Sequence, residues 1–210
     1  MLAATVLMLA VTVFLMKENE ALVFQNNGRL VVKEIPGDPG AVSFIWRSEV
    51  EPPMARRFAE SFDEWKDRSD RIVIDLNSPG GAVREGEAVI AEIERMKRTH
   101  VVDTRIGPRR ACYSMCVPIF LQGERRVAAA NARFMFHEPT ARDYFTGEEA
   151  RQPAFEKRYV TNRFVERYFV NSPMDEGWRE KLVAEWEGRD VFKSAKKLVD
   201  EGSNVVTDLE

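Results

Sequence analysis

Histidine and cysteine are scarce in this chain of 210 residues, which holds two of each. Two sulfurs without nearby histidine or further cysteine do not fill a zinc site. Neither sign of charge dominates. Against 31 Lys and Arg stand 34 Asp and Glu, a formal net charge of -3, so no global field favours nucleic acid. A phosphate-binding GxxxxGK[ST] loop is missing as well, and any unfolding work driven by ATP would fall to another protein. With no internal repeat or low-complexity stretch, an apolar content of 44% describes one globular domain with a substantial core. Nothing in these residues requires a cofactor.

Long apolar runs are also rare, and the single one sits at the start. Residues 2–16 are uncharged and apolar before Lys17 and Glu18. As a helix, fifteen residues reach about 22 Å, short of the roughly 30 Å hydrocarbon core of a bilayer. Residues 1–20 therefore read as a signal or membrane-anchor segment, although no basic stretch precedes them and no small-x-small cleavage site follows. A buried core element is the competing reading. Residues 21–24 and 29–32 flank Gln25-Asn-Asn-Gly28 as a hairpin, and Pro36-Gly-Asp-Pro-Gly40 breaks regular structure, so 21–40 reads as hairpin and linker at the edge of the main sheet.

From residue 41 to 210 the elements alternate. Strands are expected over 41–46, 71–76, 101–106 and 132–136, and helices over 53–65, 85–97 and 113–121. The run Arg71-Ile-Val-Ile-Asp-Leu76 lacks polar alternation, as a strand covered on both faces does. Helical spacing of Ala88, Ile90, Ile93 and Met96 supports the second helix. A long helix over 154–170 rich in arginine and aromatics follows, then a shorter one over 174–186, and a last helix over 192–200 with a strand over 204–207. Repeated strand-helix units imply an α/β layer with parallel pairings.

Three places carry chemistry. Asn77-Ser78-Pro79-Gly80-Gly81 closes a buried strand before a helix, where unpaired N–H groups and missing Cβ atoms let a carbonyl oxygen approach. Ser114 opens an expected helix after a Gly107-Pro108 turn, and His137 ends a strand. A nucleophile, a base and an oxyanion site held about one hydrogen bond apart are what acyl transfer needs. Each alone has a plainer reading, as a turn, a helix cap or a surface histidine, and the other histidine, His100, is read as such a structural residue. Cys112 and Cys116 bracket Ser114. Four residues apart on a helix, they fall within disulfide range, and an oxidised pair would shape the site more than stabilise the fold. Two reduced, buried cysteines are the other reading. Arg109 and Arg110 beside the nucleophile predict a preference for acidic peptide segments or a free carboxylate.

Taken together, the Ser-Pro-Gly-Gly turn, Ser114-Met115 and the string Asn131-Ala132-Arg133-Phe134-Met135-Phe136-His137-Glu138-Pro139 resemble the Clp protease proteolytic subunit, a Ser-His-Asp peptidase on the ClpP/crotonase fold. The resemblance extends from about Ser43 to Val206. It implies repeated β-β-α units with a mostly parallel sheet, a long handle helix through which subunits assemble, and strand addition of an extended peptide near Gly81. Arg189-Asp190-Val191-Phe192-Lys193-Ser194-Ala195 looks like the family's acidic segment. By this resemblance Ser114 is the nucleophile, His137 the general base, Asp190 the residue that orients it, and the N–H groups of Gly81 and Met115 the oxyanion hole.

Departures from the family pattern are local. Pro108 to Tyr113 stands where the family has a short run of small residues, and Cys116 replaces the usual glycine after methionine. Exported, membrane-associated relatives with a Cys-x-Ser-x-Cys arrangement look closer to this chain. The expected protein is thus a serine endopeptidase of peptides or unfolded segments, homo-oligomeric, held at a membrane by its N-terminal segment on the periplasmic or extracytoplasmic side. The alternatives are a catalytically silent scaffold that keeps the peptide groove, and a crotonase-like acyl-CoA enzyme.

Overall fold

The computed structural model describes residues 28–139, 153–186 and 188–210. The apolar leader expected to form a helix, and residues 21–24 of the expected hairpin, lie outside the described residues. The chain then runs through β1 (Leu30–Glu34), β2 (Ala41–Trp46), α1 (Met54–Trp65), β3 (Arg71–Leu76), α2 (Val83–Lys97) and β4 (Val101–Ile106). Next come β5 (Ala111–Tyr113), α3 (Cys116–Phe120), β6 (Arg126–Ala128) and β7 (Arg133–Phe136). The C-terminal part adds α4 (Ala154–Val165), α5 (Glu176–Glu185), β8 (Val191–Ser194), α6 (Ala195–Asp200) and β9 (Asp208–Leu209).

Two sheets result. The larger has six strands in the order β1-β2-β3-β4-β6-β9, with β1 antiparallel at one edge and the remaining pairings parallel. Parallel order follows from the helical crossovers, since a strand that leaves through a helix re-enters the sheet running the same way. As its lack of polar alternation implies, β3 is buried from Ile72 to Leu76, Asp75 included. The aromatic centre of the core is built across elements: Phe58 of α1 sits edge-on to both Phe44 and Trp46 of β2. On α2 the buried stripe is Gly86, Val89, Ile93 and Met96; the expected Ile90 packs partly buried against the core and the expected Ala88 is exposed. Gly86 costs that helix about 1 kcal/mol of propensity. Burial of Val89, Ile93 and Met96, at about 1.5–3 kcal/mol for each large apolar side chain, more than offsets it.

A smaller sheet, ordered β5-β7-β8, stands beside the first. Here β5 and β7 run parallel while β7 and β8 run antiparallel. The expected helix over 113–121 is shorter than its apolar sequence suggests: Tyr113 ends a strand whose N–H donates to the Ser78 carbonyl, Ser114 takes a left-handed backbone, and only Cys116–Phe120 is helical. Residues 191–194 pair with β7 rather than joining the last helix, and the Ser194 side chain caps α6 by accepting from the Lys197 N–H. Strand β6, which was not expected, hides an arginine: the buried Arg126 guanidinium donates to the carbonyls of Val205, Gly123 and Asn204. The final strand lies at 208–209 and not at 204–207, because Asn204 turns the chain at a positive φ and buries Val205 and Val206. The long helix is α-helical to Val165 and widens into a π turn over Glu166–Val170.

Candidate active site

The small sheet brings three of the expected site residues to one end. Its parallel register pairs Tyr113 with Met135, and the Ser114 N–H continues the ladder by donating to the Met135 carbonyl. His137 follows one residue after β7. The antiparallel register pairs Phe136 with Val191, so the next residues outward on the two strands are His137 and Asp190. Strand pairing thus delivers side chains whose separations in sequence are large. His137 Nε2 lies 2.6 Å from Ser114 Oγ, a short hydrogen bond between a hydroxyl and an imidazole. His137 Nδ1 and Asp190 Oδ1 are 3.9 Å apart, an ion-pair separation beyond hydrogen-bond length, and the Asp190 side chain is 57% exposed.

Ser114 itself has φ 52, a conformation uncommon for any residue but glycine. It occupies a sharp turn between β5 and α3, a geometry that lifts a hydroxyl clear of the backbone. A disulfide from Cys112 in β5 to Cys116 at the start of α3 closes over this turn, with Cα atoms 5.2 Å apart. The bridge spans a strand, a turn and a helix, not one helix as the spacing suggests. Both half-cystines are buried.

The glycine turn closes the other side. Asn77 Oδ1 accepts from the Ala111 N–H, and Ser78 exchanges backbone hydrogen bonds with Ala111 and Tyr113, so the turn is fastened to β5. On its far edge the Val50 N–H donates to the Gly80 carbonyl and the Ala82 N–H to the Val50 carbonyl. That pairing turns the Gly81 N–H away from Val50. Among the described residues, neither it nor the Met115 N–H donates to a carbonyl of the surrounding turns. Both glycines are required. A Cβ on Gly80, at φ 92, would stand 2.6 Å from Ser114 Cβ and 2.7 Å from the Tyr113 carbonyl oxygen, and one on Gly81 would strike the Val50 backbone.

A cleft of about 590 Å³ opens here, lined by Gly81, Ser114, Met115, His137 and Asp190 together with Glu49 and Glu51. Such a set can present a hydroxyl, a proton acceptor and two N–H donors to one carbonyl group. No group of His, Cys, Asp and Glu among the described residues is arranged to hold a metal.

Arg109 and Arg110 do not line the cleft, so the basis for an acidic-segment preference is lost. Arg109 turns outward at φ 56 with its N–H on Asn131 Oδ1. The Arg110 pKa is lowered by burial and by the neighbouring Arg47 and Arg105 charges, which places it on a different cluster. His100 packs edge-on to Phe62 with Nε2 3.1 Å from the Lys66 carbonyl, a structural residue as expected. Three contributors were not anticipated from sequence. Gly86 leaves room for Met115, whose side chain a Cβ would meet, and a glycine inside an otherwise apolar helix stripe is the signal for it. Glu49 and Glu51 also line the wall, and the alternation Glu49-Val50-Glu51 around one buried valine marks them.

Comparisons with known proteins point to one family. A family model described as Clp protease matches residues 47–202. The chain is 28% identical over 145 residues to the ATP-dependent Clp protease proteolytic subunit 1 of Chlamydia pneumoniae, covering 66% of this chain and 71% of that protein. It is 30% identical over 140 residues to the ATP-dependent Clp protease proteolytic subunit of Physcomitrium patens, covering 63% and 64% respectively. The chain thus spans roughly two thirds of the length of these relatives. Among solved structures, a mutant ClpP1 from Listeria monocytogenes shares the fold with a TM-score of 0.59 at 20% identity, over 80% of this chain and 90% of that one.

Proposed function

The chain belongs to the Clp protease family, and from that premise we propose that it is a serine-type endopeptidase acting on peptides or unfolded protein segments. Ser114 is the nucleophile and His137 the base that takes its proton. Asp190 favours the imidazolium electrostatically, and the Gly81 and Met115 N–H groups receive the oxyanion. The single observation that carries this reading is the 2.6 Å contact between His137 Nε2 and Ser114 Oγ inside a glycine-walled cleft. An extended substrate adds along the Gly81 edge that Val50 leaves free.

The chemistry then runs in balanced steps. Ser114 Oγ attacks the scissile carbonyl as its proton passes to His137 Nε2. The imidazolium returns that proton to the departing amine, leaving an acyl-serine. Water, deprotonated by the same nitrogen, releases the acid and restores the hydroxyl. A fluorophosphonate probe should label Ser114 in the purified protein and fail to label the His137→Ala variant. Label that is absent from the wild type, or indifferent to His137, would refute the reading and favour a silent scaffold.

We also place the working protein as a homo-oligomer on the extracytoplasmic side of a membrane, tethered by residues 1–20. The uncharged run of residues 2–16 supports the tether, and the Cys112–Cys116 disulfide supports an oxidising compartment. No helix among the described residues is long and apolar enough to cross a membrane, so the tether rests on the leader alone. The full-length protein should sediment with membranes and leave them when residues 1–20 are deleted; equal partition of both forms would exclude it. Any ATP-driven unfolding of substrate would come from a separate partner.

A further inference from the structure

We propose that the Ser114 cleft selects peptide segments bearing lysine or arginine, through the carboxylates of Glu49 and Glu51. This inference rests on the reading of the cleft as a peptide site. Glu49, Glu51 and Asp190 are among its lining residues, and no lysine or arginine among the described residues is. Two cations close in sequence to the lining residues are engaged elsewhere. Lys157 pairs with Glu138 at 2.8 Å, and the Arg189 guanidinium donates to the Glu185 carbonyl.

The backbone explains why these two glutamates face the substrate. Val50 is buried and bridges Gly81 in parallel register. Its neighbours in an extended segment project to the opposite face, which is the cleft. Glu51 is pinned there, with Oε1 accepting from the Ala82 N–H at 3.1 Å. The exposed Glu49 carboxylate has no hydrogen-bond or ion-pair partner among the described residues.

A peptide laid along the Gly81 edge runs two strand spacings from Val50, about 10 Å. Between them lie only Gly80, Gly81 and Ala82, which carry at most a methyl group. These small residues leave room, among the described residues, for a long side chain to cross that gap, with its apolar stem on the glycines and its charged end at Glu49. A glutamate at the same place meets two like charges and no donor, so the wall also discriminates by repulsion.

The test uses Ser114→Ala protein, so that peptides bind without being cut. Peptides of equal length that differ only in carrying lysine, glutamine or glutamate are compared by fluorescence anisotropy. Affinity should fall from lysine to glutamine to glutamate, with lysine binding about 3- to 10-fold more tightly than glutamine at low ionic strength, as expected for two solvent-exposed ion pairs. The difference should shrink at about 1 M salt, where the screening length is roughly 3 Å. It should vanish in the Glu49→Gln, Glu51→Gln double variant, whose amide oxygens still accept a hydrogen bond. Equal affinities, the reverse order, no binding of any peptide, or a lysine preference that survives the double substitution would each overturn the inference. Fluorophosphonate labelling of Ser114 in the otherwise unaltered protein is read separately. Labelling without a lysine preference removes this inference and leaves the serine chemistry, whereas a lysine preference without labelling does the converse.

Discussion

A serine held at φ 52 is restrained against its own backbone preference, at a cost of order 1–3 kcal/mol that the surroundings must supply. Those restraints are visible. The Ser114 N–H is fixed to Met135, the Val117 N–H to the Ser114 carbonyl, and the bare Gly80 lies against Ser114 Cβ. Ser114 is therefore set by the backbone, while Asp190 is set loosely. At 3.9 Å and more than half exposed, its carboxylate would act on His137, in the proposed mechanism, through solvent-screened electrostatics. We expect Asp190→Asn to lower kcat/KM by about 10- to 100-fold, well short of the ~10⁴-fold loss that accompanies a buried, hydrogen-bonded triad aspartate. Steady-state cleavage of a fluorogenic peptide by the two variants checks this. A loss matching that of His137→Ala would mean that Asp190 closes to hydrogen-bond distance in the working enzyme.

Secondary elements show what was legible and what was not. The buried strands of the main sheet and helices α1 and α2 could be placed from the order of apolar residues, because each buries a run or a periodic stripe of them. Ser114, His137 and the glycine turn could be found for a related reason, since unlike chemical groups stood at the ends of such elements. The short strands were opaque. Strands β5, β6 and β8 have three or four residues each, too few for a period, and they are strands only because a partner is present. Asp190 is the consequence. Its chemistry resembles that of many other carboxylates, and the pairing of β8 with β7 distinguishes it, so only a family resemblance could reach it from sequence. Glu49 and Glu51 were hidden similarly, since their place in the wall depends on one bridge between Val50 and Gly81. The cysteines were reached with the wrong geometry: spacing suits a helix, but the bond spans the Ser114 turn, where it restrains Ser114 from both sides.

At the scale of the whole molecule, α4 leaves an unusual surface. Phe155 and Tyr159, four residues apart on one helical face, are 67% and 62% exposed. Large aromatics displayed in this way mark an interface more often than bare surface. Burying two rings removes at most about 300–500 Å² from water, which at ~25 cal/mol/Å² contributes roughly 7–12 kcal/mol. Loss of translational and rotational freedom costs about 4–15 kcal/mol, so one such contact is marginal. Assembly through α4 therefore requires the contact to be repeated with others in a closed symmetric array, where each subunit is held on more than one side. Replacing both Phe155 and Tyr159 with glutamate should break the array into smaller species by light scattering. The far-ultraviolet circular dichroism should stay unchanged, because both side chains already face solvent in the folded chain. A wild type that is monomeric, or a double variant with the mass of the wild type, would show that α4 is not the assembly surface.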